Sequence, residues 1–446
     1  MKNLNVIFWS FTVALGGFLF GFDTAVISGA EGAIQKEWAL SNAMIGQIVA
    51  VALYGTVIGA LLGGWPAERF GRKTSLFWIG LLYLASAAGS ALAPDVYSLM
   101  LFRFIGGLGV GASSVVAPMY ITEVSPKEQR GRLVAFFQFN IVLGIMIAYI
   151  SNWLIGGGSW RLMLGVETLP ALAFVLLILK VPRSPRWLVV KREAYDEALA
   201  VLQRINPEAA AQELQAIEQA HATARSGGLR AFLSGIYNRP ILLAFLFAFF
   251  NQVSGINAVI YYAPRIFKLA GLEESAALLA STGIGTINLV FTLIGMSLID
   301  GFGRRKLMYV GSLGYIVSLS AVAYAFYSGV SGGYTVPIWL FVFIASHAIG
   351  QGAVIWVFIS EIFPNEVRSF GNSLGSGTHW IFAALIAGTF PYLTGVMEEY
   401  AIFALFAGLM VLQLLFVAFM MPETKGVSLE ELQERLMKDT SQPKAT

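Results

Sequence analysis

Glu68-Arg-Phe-Gly-Arg-Lys73 recurs in the second half of the chain as Asp300-Gly-Phe-Gly-Arg-Arg305. Glu123-Val-Ser-Pro126, followed by Arg130, recurs as Glu361-Ile-Phe-Pro364, followed by Arg368. Pro182-Arg-Ser-Pro-Arg186 has a weaker echo in Pro422-Glu-Thr-Lys-Gly426. The motifs keep their order and nearly their spacing, so the chain repeats itself. Between them lie apolar segments long enough to cross a bilayer. They fall near 6–28, 43–65, 75–93, 99–121, 134–155 and 162–181, and then near 239–263, 276–299, 307–327, 335–360, 371–394 and 400–421. These twelve spans divide into two six-helix halves of the same orientation, related by an axis along the membrane normal. The expected fold is an all-α membrane protein: an N-terminal half over 1–181, a cytoplasmic helical linker over 182–238, a C-terminal half over 239–421 and a cytoplasmic tail over 422–446. A substrate site is expected between the halves near mid-membrane.

Composition agrees. Of 446 residues, 57% are hydrophobic and only 12% charged, where soluble domains carry about 25% charged residues. A formal charge of +3 gives no reason to expect nucleic acid as a partner. Cysteine is absent, which excludes disulfides and thiolate metal sites. The N-terminus has one lysine and then an apolar run of spanning length with no small-residue cleavage site, so it is the first helix and not a removed signal peptide.

Basic residues set the orientation. Arg69, Arg72 and Lys73 follow span two, Lys127, Arg130 and Arg132 follow span four, and Arg304, Arg305 and Lys306 follow span eight. The opposite loops hold fewer: Lys36, Arg161, Arg265 and Lys268. Both termini are therefore expected on the cytoplasmic side of the cell (inner) membrane. The interval 186–238 is the only sizeable soluble piece. Residues 193–204 have the pattern of an amphipathic helix. Pro207 opens a second, through Glu208 to Ala224, before Gly227-Gly228. A small helical element on the cytoplasmic face is expected; a plain tether rarely carries helical periodicity.

Phe250-Asn-Gln-Val-Ser-Gly-Ile-Asn-Ala-Val-Ile-Tyr-Tyr262 breaks the apolar pattern of span seven. Polar side chains at bilayer depth are costly unless they face a protein interior or a wet cavity. Asn251, Ser254 and Tyr261/Tyr262 fall within about one helical face, bordered by Gln252. Amides both donate and accept, which suits a neutral polyol. Helix–helix hydrogen bonding is the plainer alternative. Gly255 can bend the helix or admit a close neighbour.

These residues also carry a resemblance. Gly16-Gly-Phe-Leu-Phe-Gly-Phe-Asp23, Arg103-Phe-Ile-Gly-Gly-Leu-Gly109, Pro118-Met-Tyr120 and Gln252-Val-Ser-Gly-Ile-Asn257, with the paired motifs above, make nearly the whole chain similar to the sugar porter family of the major facilitator superfamily. Within it the chain resembles bacterial proton-coupled monosaccharide symporters of the xylose–proton type, and glucose facilitators. The resemblance implies proton coupling through Asp23 and Arg103, assisted by Glu167. It implies sugar binding by Phe20, Gln138, Asn251, Gln252, Asn257, Asn288, Trp356, His379 and Trp380, with Tyr261 and Tyr262 as an outer gate. Indole faces suit sugar C–H groups, and amides suit hydroxyls. It implies a cytoplasmic latch of Glu68/Arg72, Glu123/Arg130, Asp300/Arg304 and Glu361/Arg368. Topology alone accounts for those arginines but not for the matched acids.

Four departures stand out. Arg183 replaces the acid usual in its Pro-x-Ser-Pro-Arg motif, while Glu423 keeps it in the second half. Asn251 stands where glutamine is common, and His379 where an amide is common. Span ten, at Gly350-Gln-Gly-Ala-Val-Ile-Trp356, lacks the prolines often seen there. The expected function is import of a hexose or pentose with a proton by alternating access, in a functional monomer. Facilitated sugar uniport by the same fold is the alternative. A non-transporting sugar sensor is a third reading, disfavoured by the short tail after Pro422. An enzyme is not expected: no metal-ligand cluster or nucleophile–base pair stands out, and His221, His347 and His379 are scattered. No cofactor or metal is implied.

Overall fold

A computed structural model describes residues 4–126, 129–223, 229–364 and 366–427, together with Glu431 and Leu436. Among these are 12 helices long and apolar enough to cross a membrane: Leu4–Glu37, Asn42–Leu62, Arg72–Ala91, Val96–Val124, Arg130–Gly158, Trp160–Ile178, Asn238–Leu269, Glu274–Phe302, Arg304–Tyr327, Thr335–Glu361, Arg368–Val396 and Glu399–Phe419. The number agrees with the sequence reading; several ends do not. Span one continues to Glu37, well beyond its apolar stretch. Hydrophobicity marks where hydrocarbon ends, whereas a helix continues as long as its ladder and its neighbours support it. Here Asn152 of span five donates to the Val26 carbonyl at 3.0 Å. At the far end, Glu37 accepts from Trp160 Nε1 at 2.6 Å and from Arg161 at 2.8 Å.

Three spans are broken. Span seven stops at Val253 and restarts at Ile256. Gly255 sits between at φ +83°, and a β-carbon there would lie 2.7 Å from the Phe406 ring. Both conditions select glycine. Span ten stops at Ile349 and restarts at Gln351. Its bend needs no proline: Gly350 adopts φ −84° and ψ −101°. Span six breaks between Gly165 and Thr168, and Glu167 lies in that gap.

The chain forms two compact units: Met1–Leu40 with Gln47–Ala224, and Ser41–Gly46 with Arg225–Thr446. In the first, small residues let backbones approach closely. A methyl group at Gly21 or Gly144 would collide with main chain of span five or one, and one at Gly107 or Gly111 with main chain of span two. The helices that follow span six, Pro185–Arg192, Tyr195–Ile205 and Ala210–Thr223, belong to this unit. Trp187, Leu188, Val201, Leu202 and Ile205 join the same buried core as Val116, Tyr120 and Ile121 of span four. The last of these helices begins at Ala210 and not at Pro207, because Asn206 Oδ1 takes the Glu208 N–H at 3.2 Å and holds a turn there. Gly227, Gly228, Lys127 and most of the tail lie outside the described residues.

Candidate functional site

The first unit buries an acid–base cluster. Asp23, Arg103 and Glu167 are 5%, 1% and 3% exposed. Arg103 Nη1 lies 3.7 Å from Asp23 Oδ1, and its Nε donates to the Ile48 carbonyl of span two at 3.2 Å. Glu167, placed by the break in span six, is within electrostatic reach of both Asp23 and Arg103. Arg103 Nη2 and Glu167 Oε1 are buried without a hydrogen-bond partner among the described residues. Two buried acids thus lie near one guanidinium, and polar atoms of the group are left unbonded among the described residues. Burying an uncompensated charge is costly, so such a group of three has reason to gain or lose a proton. Gly106 makes room here: a β-carbon would meet Ser86 Oγ and approach Asp23 Oδ1. Tyr83 closes the cluster, with its hydroxyl donating to the Gly16 carbonyl at 3.4 Å, and Ser113 Oγ lies beside Gly16. Tyr83, Ser86 and Ser113 were not singled out by sequence; their only mark was polarity within an apolar span.

The second unit gathers the amides of span seven. Gln252 Nε2 donates to Asn251 Oδ1 at 2.8 Å and lies 3.2 Å from both ring nitrogens of His379. Its Oε1 accepts from Asn257 Nδ2 at 2.8 Å. The helix break makes this possible, because it brings residues 252 and 257 face to face where an unbroken helix would separate them. Ser254 bridges the break, donating to the Asn251 carbonyl at 2.7 Å and accepting from the Ile256 N–H at 3.3 Å. The His379 ring is flanked by Trp356 at 5.1 Å and Trp380 at 4.8 Å. Trp356 is 39% exposed, whereas Trp380 is buried. Three amides, an imidazole and two indoles therefore form one surface of donors, acceptors and aromatic faces.

The other candidates are placed less tightly. Asn288 is buried in span eight and accepts from Thr292 at 3.4 Å. Phe20 and Gln138 are half-buried in the first unit. Tyr261 and Tyr262 are buried. Tyr262 donates to the Ala387 carbonyl at 2.7 Å and stacks on Phe390, and its φ of −128° marks a second kink. Sequence reading missed a polar pair in the second unit: the Tyr315 hydroxyl lies 2.5 Å from His347 Nδ1. It also missed a buried chain in which Gln351 donates to Gln413 and Gln413 donates to Ser312.

The family model for "Sugar (and other) transporter" matches residues 9–436. The chain belongs to the sugar transporter family. It is 35% identical over 487 residues to the D-xylose-proton symporter of Escherichia coli (strain K12), covering 100% of this chain and 98% of that one. It is 36% identical over 448 residues to the arabinose-proton symporter of Bacillus subtilis (strain 168), covering 97% and 95%. Among solved structures, the inward open conformation of the xylose transporter from E. coli gives a TM-score of 0.86 at 33% identity, covering 96% of this chain and 99% of that one. The proton:xylose symporter bound to 6-bromo-6-deoxy-D-glucose gives 0.80 at 34% identity, covering 98% and 100%. With twelve spanning helices, the chain is an integral membrane transporter of the major facilitator fold and not an enzyme.

In this sugar transporter the repeated motifs pair as the sequence expectation has it at Asp300 and Arg304, and otherwise differently. Arg72 bonds Glu123 at 2.8 Å, not Glu68, whose side chain is exposed. Arg304 bonds Glu361 at 2.8 Å and Asp300 at 3.2 Å. Arg130 and Arg368 donate instead to the carbonyls of Thr122 and Phe363. The reason is the turn before each arginine. Gly71 at φ +93° and Gly303 at φ +90° start a new helix at Arg72 and at Arg304, which aims the guanidinium across to the next motif's acid. The two sets match in detail: Ser184 Oγ donates to Glu123 Oε2 at 2.5 Å, and Thr424 Oγ1 donates to Glu361 Oε2 at 2.6 Å.

Proposed function

We propose that the chain is a secondary active transporter that imports a monosaccharide together with a proton by alternating access, as a functional monomer in the cell membrane with both termini cytoplasmic. The observation that carries proton coupling is the burial of Asp23 beside the Arg103 guanidinium, with a second buried acid, Glu167, within electrostatic reach. Gain of one proton brings the net charge of these three groups to zero. It also frees Arg103 from Asp23, a contact that at 3.7 Å is already loose. The relatives named as xylose– and arabinose–proton symporters support the same reading.

The sugar binds against the Asn251–Gln252–Asn257–His379 surface, flanked by Trp356 and Trp380. Asn288, Gln138 and Phe20 are further contacts, and Tyr261 and Tyr262 form the outer gate. Gln252 is the centre of this surface because it already holds three side chains. A sugar hydroxyl that replaces one of those partners exchanges one hydrogen bond for another, so binding and rearrangement of the span-seven break occur together. Proton and sugar binding are then reciprocally coupled. The Arg72–Glu123–Ser184 and Arg304–Glu361–Thr424 sets serve as the cytoplasmic latch, with Glu68, Arg130, Asp300 and Arg368 beside them. Arg72 and Glu123 are 11% and 7% exposed. Loss of one partner therefore leaves the other largely uncompensated, unlike a surface pair worth about 0–1 kcal/mol.

Purified protein in sealed vesicles tests the reading. Under an outside-acid pH gradient, labelled xylose, arabinose, galactose or glucose should accumulate above its external concentration. Equilibration without accumulation would make the chain a uniporter, and binding without uptake would make it a sensor.

A further inference from the structure

Span ten breaks at Gly350 without a proline, and span nine holds it on both sides of the break. Before the break, His347 Nδ1 lies 2.5 Å from the Tyr315 hydroxyl. After it, Gln351 donates its side-chain amide to Gln413 of span twelve, and Gln413 Nε2 donates to Ser312 Oγ at 2.7 Å. Ser312 and Tyr315 are three residues apart on span nine and so share one of its faces. Gly311 stands beside them. A β-carbon there would lie 3.0 Å from the Gly350 α-carbon, so the break rests on the main chain of span nine. Residues 347, 350 and 351 are thus each tied to span nine, the last through Gln413.

Ser312, Gln351 and Gln413 are fully buried. Gln351 Oε1 has no hydrogen-bond partner among the described residues. A buried oxygen left unpaired is costly, and bonded polar groups add little net stability over apolar groups of the same shape. Close packing of apolar side chains would hold these helices together without that cost. A hydrogen-bond chain supplies direction instead: each donor points at one acceptor, which fixes the rotation of a helix as well as its place. The helix fixed here is Gln351–Glu361. It carries Trp356, five residues beyond Gln351, whose partly exposed ring lies 5.1 Å from that of His379. At about 100° of rotation per residue, even a one-residue slip of this helix turns the indole away from the imidazole.

We infer that Ser312, Gln413 and Gln351 are positioning residues for sugar binding: through the break in span ten they set where the Trp356 indole meets the sugar. The inference rests on the reading of Trp356 and His379 as part of the sugar wall. The three residues act through Trp356, since none of them is exposed.

The test is a double-mutant cycle on the purified full-length chain. The triple variant Ser312→Ala/Gln351→Met/Gln413→Met removes every member of the chain together, nearly conserves volume and leaves no partner behind unpaired. Trp356→Ala is made in it and in the unmutated chain. The probe is whichever labelled sugar the vesicles take up, from xylose, arabinose, galactose and glucose. Helical content and the unfolding midpoint of the triple variant should match those of the unmutated chain, while its sugar Kd rises about tenfold, within the range of coupling between neighbouring groups. Trp356→Ala should raise Kd about tenfold in the unmutated chain and about twofold or less in the triple variant, because contacts that depend on one another are not additive. Equal losses from Trp356→Ala in both backgrounds overturn the inference and leave the sugar wall standing. A triple variant that binds sugar as the unmutated chain does, or that loses its fold, also overturns it; in the second case the chain of bonds is structural. If Trp356→Ala leaves Kd unchanged in the unmutated chain, Trp356 is not in the sugar wall, and the inference falls with that reading.

Discussion

Arg103 Nη1 stops 3.7 Å short of Asp23 Oδ1, while the same guanidinium is anchored through Nε to the Ile48 carbonyl at 3.2 Å. The arginine is thus held by main chain of span two and only attracted by the acid of span one. Such an arrangement can lose the acid's charge without losing the arginine's position. A tightly forked pair would serve structure better; this one leaves Asp23 free to change protonation.

Asp23→Asn removes that change. Vesicles of this variant should exchange labelled sugar between equal pools yet show an accumulation ratio of about one under an outside-acid gradient, because the coupling between proton and sugar is gone. The unmutated chain should accumulate more as the outside pH falls, since the proton is a co-substrate entering from that side. Accumulation by Asp23→Asn would exclude this acid as the coupling group.

Gln252→Ala should weaken sugar binding roughly tenfold or more, from unpaired hydroxyls and amides costing about 1–3 kcal/mol. Equilibrium binding of a labelled sugar measures it. His379→Asn restores a side chain that can donate and accept at the same place, and should bind far more nearly as the unmutated chain does. If Gln252→Ala leaves affinity unchanged, the sugar does not lie against span seven.

Gly255→Ala places a β-carbon where φ is +83° and the Phe406 ring is 2.7 Å away. A destabilisation of about 1–3 kcal/mol is expected from the backbone strain, and more if Phe406 cannot move. A lowered unfolding midpoint, with weaker sugar binding because the break carries Gln252 and Asn257, checks it.

Glu423→Ala uncaps span nine and should cost about 0.5–2 kcal/mol, as loss of an N-cap does. Denaturation of this variant measures the loss of a carboxylate that accepts the N–H groups of Arg304 at 3.0 Å and Arg305 at 3.1 Å.

Asp95 supplies a pH dependence outside the spans. It caps span four, and the Ser98 N–H foremost, with the Ser98 hydroxyl and the Tyr97 N–H, holds its carboxyl below the usual range despite some desolvation. A lowered folded-state value stabilises the protein above the ordinary carboxylate pKa and loses that effect as pH falls through the folded value. The stability difference between the unmutated chain and Asp95→Asn should therefore shrink on acidification below about pH 4. A difference that stays constant to lower pH would show that the cap does not titrate.

The chain's linear pattern was enough for twelve spans, their duplication and the polar break in span seven, because each depends on composition over a stretch no longer than one crossing. The polar residues of Asn251 to Asn257 were legible for the same reason: an amide in an apolar run is conspicuous wherever it points. Pairing was legible only at Asp300 and Arg304. Arg72 reaches Glu123 and not Glu68, and Arg304 reaches both Asp300 and Glu361, because a guanidinium bonds what lies across the helix interface, and neighbours in sequence need not lie there. Tyr83 and Ser86 near Asp23, and Tyr315 with His347, were hidden likewise, since one hydroxyl in an apolar span has the same sequence signature whether it lines a site or bonds its own helix. Gly350 bends span ten without a proline, through a backbone torsion that only the packed chain specifies. Arg183 could be seen in the sequence as a reversed charge; only the tertiary structure set the Trp187 indole against Gly71 and Glu423 against the start of span nine, because each contact joins segments far apart along the chain.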